Sequence, residues 1–165
     1  MAAACIGGGA LLGAATNAIN ARVSPVYFRY VLRWADVRDI WRAVMAQGIY
    51  EGLMYGSLFA VVFTLSVGVS SRGRADFRFT VRPLLTAACI ALGGWVMGGV
   101  LAIGLASLSP EFYRLRFRGV PDAFGEMLAY AWVGGSIWGI LIGAVLAAVV
   151  STVVAGAHWR AQQQN

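Results

Sequence analysis

The sequence predicts an all-α integral membrane protein whose four transmembrane helices form two hairpins, related as parallel repeats, each with a short interfacial helix. Hydrophobic residues make up 59% of the chain and charged residues 12%, and the mean hydropathy of +0.71 exceeds that of soluble domains. Four apolar runs, charged only at Glu51, cover residues 2–21, 43–71, 83–110 and 127–158. Each has at least the ~20 residues that a helix needs to cross a bilayer.

An internal repeat predicts the hairpin arrangement. Residues 24–29 read Ser-Pro-Val-Tyr-Phe-Arg, and residues 109–114 read Ser-Pro-Glu-Phe-Tyr-Arg. Glycines flank both copies in the same order, although glycine-rich membrane helices also resemble one another by composition alone. Small residues let membrane helices approach closely. The glycines predicted to pack helices together are Gly9, Gly13, Gly48, Gly52, Gly56, Gly94, Gly98, Gly135, Gly139 and Gly143.

The predicted domains follow from this repeat. They are a first transmembrane hairpin (1–71), a basic connecting loop (72–82), a second hairpin (83–158) and a polar tail (159–165). Because each repeat holds an even number of spans, the two share one orientation, are related by an axis along the membrane normal, and leave both termini on one side. Arginines are more numerous in the two motif loops than in the central loop and tail, which favours cytoplasmic motif loops.

Each motif loop is predicted to contain a short helix in the headgroup layer. Ser24 and Ser109 suit the N-cap position, and the prolines after them suit the first helical position. Aromatic rings between arginines are typical of interfacial helices. Asp36 and Asp122 are predicted N-caps of the spans that follow. The arginines predicted to contact lipid headgroups are Arg29, Arg33, Arg114, Arg116 and Arg118.

All basic side chains are arginines, and the net charge is +6. In a soluble protein this balance would suggest nucleic acid as a partner. Here the arginines cluster between the spans, where anionic headgroups and the fixing of orientation explain them, so no nucleic-acid partner is expected. The expected partners are membrane lipids and either further copies of this chain or another membrane protein.

Glu51 is the one acidic residue inside an apolar run, where a carboxylate needs protonation or a partner. Gln47 is one turn earlier on the same helix face, and Asn17 and Asn20 approach the same membrane face from the first span. We predict a polar intramembrane cluster of these four residues. It is interpreted either as a hydrogen-bond network that locks the hairpin or as part of an ion, proton or solute pathway.

No catalytic motif is present in the sequence: it lacks a Walker loop, a nucleophile elbow and a metal-ligand spacing. We therefore expect no enzyme activity, no catalytic or metal-binding residues and no cofactor. Cys5 and Cys89 are predicted to be small buried residues among the helices.

Residues 16–20 and 24–28, together with 130–136, resemble a group of small bacterial four-span membrane proteins of no known activity. The resemblance implies the four-span fold, and the expected location is the bacterial inner membrane. The main functional hypothesis is a non-catalytic, helix-packing and lipid-contacting subunit or scaffold. The alternative is a small channel or transporter that uses the polar cluster around Glu51.

Overall fold

The computed structural model describes residues 1–71, 74 and 77–162, and this part of the chain forms six helices and no strand. The helices are α1 (Ala2–Val23), α2 (Pro25–Val31), α3 (Ile40–Ser71), α4 (Phe77–Leu108), α5 (Pro110–Arg116) and α6 (Phe124–Gln162). Four of them, α1, α3, α4 and α6, are long and apolar enough to cross a membrane. The predicted all-α class and the four long apolar helices are thereby confirmed.

The long helices associate in two pairs. α1 packs chiefly against α3, α4 packs chiefly against α6, and the two pairs meet mainly through α3 and α6. At one end of the bundle, Cys5 and Phe63 of the first pair cluster with Leu84 and Ala155 of the second. Since Cys5 and Leu84 both lie near the starts of their helices, α1 and α4 run in the same direction.

The short helices α2 and α5 lie at the opposite end of the bundle. Phe28 of α2 packs with Val44 and Val133, and Tyr113 of α5 packs with Met127. A serine stands at the N-cap of each short helix with nearly the same backbone angles, φ −148° and ψ 89° in one and φ −147° and ψ 85° in the other. Neither serine hydroxyl makes the expected capping hydrogen bond. Each serine still occupies the N-cap position, and the proline after it starts the helix.

Helix α4 starts earlier than the sequence indicated. The third apolar run was predicted to start at residue 83, yet Pro83 lies inside a helix that begins at Phe77. Phe79 and Leu84 pack against the apolar cluster at this end of the bundle, which gives the added turns a buried face. Residues 72, 73, 75 and 76 of the predicted connecting loop, and 163–165 of the predicted tail, lie outside the described residues.

The predicted caps of α3 and α6 are wrong by one helical turn and by one residue. Asp39, not Asp36, caps α3, because its carboxylate accepts a hydrogen bond from the backbone N–H of Arg42 at 3.1 Å. The last helix begins after Ala123, whose carbonyl accepts from the N–H of Met127 at 2.9 Å. The cysteine prediction holds only in part, because Cys5 is buried and Cys89 is exposed.

We expect Asp39→Ala to lower the free energy of unfolding by ~1 kcal/mol, the usual contribution of an N-cap side chain. The exposed ion pair between Asp39 and Arg42 adds little. Asp36→Ala is the matched control and should leave stability within ~0.5 kcal/mol of the wild type. Thermal unfolding of both variants in detergent, followed by circular dichroism, measures the difference. Equal loss in the two variants would contradict the assignment of the cap.

Candidate functional site

Glycines bring the backbones of each helix pair into direct contact. A methyl group added at Gly13 would collide with the carbonyl oxygen of Gly48, and one added at Gly9 with that of Gly52. In the second pair, a methyl group at Gly98 would meet the carbonyl oxygen of Gly135, and one at Gly94 that of Gly139. Such close approach is how membrane helices gain van der Waals contact without a hydrophobic driving force.

The two pairs repeat these contacts position by position. Gly94 stands 85 residues after Gly9, and its partner Gly139 stands 87 residues after Gly52. The match continues at the seam ends, where Gly56 approaches Cys5 and Ile6. Gly143, 87 residues after Gly56, approaches Ile90 and Ala91, which stand 85 residues after Cys5 and Ile6. Each residue of one pair thus has a counterpart, the residue at the matching position of the other pair.

We expect Gly94→Ala to destabilise the second pair by ~1–3 kcal/mol, because the added methyl group forces two backbones apart. Gly93 is the matched control, since nothing lies within 4 Å of a methyl group placed there. Gly93→Ala should leave stability unchanged or raise it by up to ~1 kcal/mol through helix propensity. Denaturant or thermal unfolding in detergent gives both values. A Gly94→Ala variant as stable as the wild type would rule out the tight seam.

A cavity of about 440 Å³ lies between the two pairs, lined by all four long helices. Small residues create it: Gly8 and Gly13 of α1, Ala88 and Ala91 of α4 and Ala144 of α6 leave its centre open. Its polar lining is concentrated in Thr16, Asn17, Asn20, Glu51, Tyr55 and Trp95. A cavity of this size is within the ~300–1,000 Å³ range of small-ligand sites.

The two asparagines connect α1 to different neighbours. Asn17 donates from Nδ2 to the carbonyl oxygen of Val44 in α3 at 3.3 Å. Asn20 is fully buried, and its Oδ1 lies 3.1 Å from the hydroxyl oxygen of Ser136 in α6. The Ser136 hydroxyl also reaches the carbonyl oxygen of Val133 at 3.0 Å. Of these contacts, the one between Asn20 and Ser136 ties the first pair to the second near the α2 end, whereas Asn17 and Val44 tie α1 to α3 within the first pair.

One polar atom of the Asn20 amide remains buried without a partner. As the amide is placed, that atom is Nδ2. A hydroxyl has one proton to donate. If Ser136 donates it to the carbonyl oxygen of Val133, Ser136 can only accept a hydrogen bond from Asn20. The Asn20 amide is then rotated so that Nδ2 donates to Ser136, and Oδ1 is the atom left unpaired. Either orientation leaves one group unsatisfied, and in an apolar interior such a group costs ~1–3 kcal/mol.

Glu51 lies deeper in the bundle than the asparagines. Its Oε1 accepts a hydrogen bond from Nε2 of Gln47 at 2.7 Å. Its neighbour Gly52 packs at the level of Gly9, eleven residues before Asn20, which is ~16 Å along a helix. In the described part of the chain no hydrogen bond joins the asparagines to Gln47 or Glu51. Glu51, Asn17 and Asn20 nevertheless line the same cavity.

Tyr27 of α2 extends the polar region toward the end of the bundle. Its ring packs on Tyr130 with centroids 5.0 Å apart, and Gly134 leaves room for its edge. Burial raises the pKa of the Tyr27 hydroxyl, and the negative charge of Glu51 raises it further. The hydroxyl therefore stays protonated and available as a donor at neutral pH.

Sequence reasoning missed Trp95 and Ser136. Trp95 is largely buried, lines the cavity and has no partner for its Nε1–H. Its signal in the sequence is that it is the lone large aromatic of its span. Ser136 follows Gly135 in the glycine stripe of α6, so it was not distinguished from the packing residues around it.

The pairs do not meet through equivalent faces. Asn20 and Glu51 point into the space between the pairs, whereas their counterparts Leu105 and Trp138 are exposed, Trp138 to 67%. On the other side of the cavity, Ile137 is half-buried and lines the cavity, while its counterpart Tyr50 is 62% exposed. The packing is therefore head-to-tail in the sense used for oligomers: one face of the first pair meets a different face of the second. The polar residues of the cavity accordingly occur once rather than twice.

The predicted lipid-contacting arginines divide into two groups. Arg29 donates to the carbonyl oxygens of Ala35 and Val37, both at 3.3 Å, and its counterpart Arg114 donates to that of Asp122 at 2.6 Å. These two guanidinium groups hold the loops that follow their helices. The exposed arginines of this end, which remain predicted headgroup contacts, include Arg33, Arg116 and Arg118.

No protein-family model, curated protein or solved structure matches the chain.

Proposed function

We propose that the protein is an integral membrane protein of the bacterial inner membrane, built from two repeated hairpins, that acts as a non-catalytic, lipid-contacting packing subunit or scaffold. The observation that carries the proposal is the pair of glycine seams, which make two rigid helix pairs with an apolar outer surface. The lipid-contacting role follows from that surface, and the packing role from the seams.

The distribution of charge supports a position across the bilayer. In the described residues, the charged side chains of the four long helices lie near helix ends, except for Glu51. Large apolar side chains such as Leu11, Leu65 and Leu101 are more than 60% exposed. An apolar surface of this extent is stable in contact with lipid and favours association in water.

The matching glycine contacts support a duplicated hairpin. Four glycine pairs, two in each helix pair, meet with the same partners at constant offsets of 85 and 87 residues. Composition alone explains glycine-rich helices, but it does not specify which glycine meets which. The nearly identical backbone angles at Ser24 and Ser109 extend the agreement to the short helices.

The cavity lining disfavours the transport alternative. An ion needs rings of carbonyls or charged side chains along its path. In the described residues, Glu51 is the one charged side chain of the lining; its other polar side chains are neutral, and residues such as Leu84, Ala88 and Ala144 are apolar. The hydrogen bond from Gln47 gives Glu51 a partner within its own helix, which fits a structural role.

We expect purified protein in liposomes to show no proton or cation flux above that of empty vesicles, for both the wild type and Glu51→Gln. The variant keeps an oxygen that accepts the hydrogen bond from Gln47, so it should insert and unfold like the wild type. Glu126→Gln, which removes an exposed acid in the first turn of α6, controls for loss of charge. Flux that is present in the wild type and Glu126→Gln but absent in Glu51→Gln would replace the scaffold by a transport function.

A further inference from the structure

The central cavity has unsatisfied polar atoms near one end, and the rest of its length is lined mostly by apolar residues, with Glu51 and Tyr55 as polar exceptions. Trp95 offers an unpaired Nε1–H, and the Asn20 amide offers one unpaired atom. Both side chains line the cavity and both are at least nine-tenths buried. Polar groups buried without partners are rare in native structures, and each calls for an explanation such as a bound molecule.

The polar end lies close to the α2 end of the bundle. Asn20 stands three residues before the end of α1, so it is ~5 Å from that helix end. The cavity continues along α1 to Ala4, sixteen residues earlier, which is ~24 Å along the helix. A molecule that fills it therefore has its polar group near one membrane surface and an apolar part that reaches past the midplane of a core ~30 Å thick.

The charge of the lining limits which polar group a molecule bound in the cavity can carry. Glu51 borders the cavity, and in the described residues no basic side chain lines it. An anionic group there would lack a counter-ion in a medium of low dielectric constant, at a cost that normally excludes it. A hydroxyl both donates and accepts, so it can pair with the Asn20 amide in either orientation and with Trp95.

The two helices beside the cavity leave a route from the lipid. α1 and α4 contact each other far less than each contacts its own partner, because the pairs meet through α3 and α6. Both carry small residues along the cavity, among them Gly8, Gly9, Ala87 and Ala88. A hydrocarbon chain can enter sideways between them without crossing water.

We infer that the cavity binds a single-chain membrane amphiphile with an uncharged, hydroxyl-bearing polar group, such as a monoacylglycerol. The hydroxyl and ester groups pair with Asn20 and Trp95, and the chain lies between α1 and α4. The inference rests on the proposed membrane location, and it gives the lipid-contacting role a defined site and a class of lipid.

The test is photolabelling in liposomes with a monoacylglycerol that carries a diazirine in its chain, followed by peptide mapping. We expect saturable labelling of cavity residues of α1 and α4. Unlabelled monooleoylglycerol should compete, while oleate and a long-chain alkane should compete at least tenfold more weakly.

Two matched variants fill or spare the cavity. Ala88→Phe places a ring in the space between α1 and α4, and we expect about tenfold less labelling. Cys89→Phe changes the next residue, which is exposed, and should label like the wild type. Trp95→Phe keeps a ring but removes the N–H donor, so about threefold weaker competition by monooleoylglycerol is expected.

Several results would overturn the inference. Labelling confined to outward residues such as Leu101, or unchanged in Ala88→Phe, would show that the probe samples the lipid-facing surface only. Equal competition by the alkane would show an apolar space without recognition of the polar group. Cross-links between cavity residues of two chains would make a second copy the occupant. None of these results affects the flux measurement, so the scaffold proposal stands or falls separately.

Discussion

Close backbone contact between helices is the constraint on which the rest of the structure depends. Where Gly13 faces Gly48 and Gly98 faces Gly135, no side chain separates the helices, so each pair behaves as one body. Membrane helices gain little from burying apolar surface against each other, because lipid is equally apolar. Contact at atomic distance must supply the association instead. The two seams therefore define the units from which the bundle is assembled.

The cavity is a consequence of the same choice of residues. Glycine and alanine that suit a seam leave space wherever the opposite helix does not approach, and between α1 and α4 it does not. Large side chains fill the bundle at its two ends, with Phe63 near one end and Phe28 near the other. The middle is left open, with the Asn20 amide and the Trp95 indole at its edge. Glycine and alanine residues thus account both for the tight seams and for the open cavity.

Composition and periodicity were sufficient to predict the helices, because apolar length and glycine spacing are local properties of the sequence. They were insufficient for contacts between the pairs. The sequence predicted one polar cluster of Asn17, Asn20, Gln47 and Glu51. Asn17, Asn20 and Glu51 line one cavity, but Glu51 lies ~16 Å along the bundle from Asn20 and bonds to Gln47 within its own helix. Ser136 and Trp95 belong to the other pair, and only the relative placement of the pairs brings them to Asn20. That placement depends on surfaces distant in sequence, which a pattern along the chain does not encode.

Head-to-tail packing of the pairs comes with a stagger. Asn20 lies beside Ser136, which follows Gly135 in α6. Gly135 packs against Gly98, and Leu105, the counterpart of Asn20, stands seven residues after Gly98. Seven residues of helix are ~10 Å. Head-to-tail contacts continue from copy to copy until they close into a ring, or without end as a filament. Here a third pair added by the same relation would move a further ~10 Å along the helices, out of register with a bilayer core ~30 Å thick. In the bilayer location proposed for this chain, that mismatch opposes extension, and two pairs are a natural stopping point for this mode of packing.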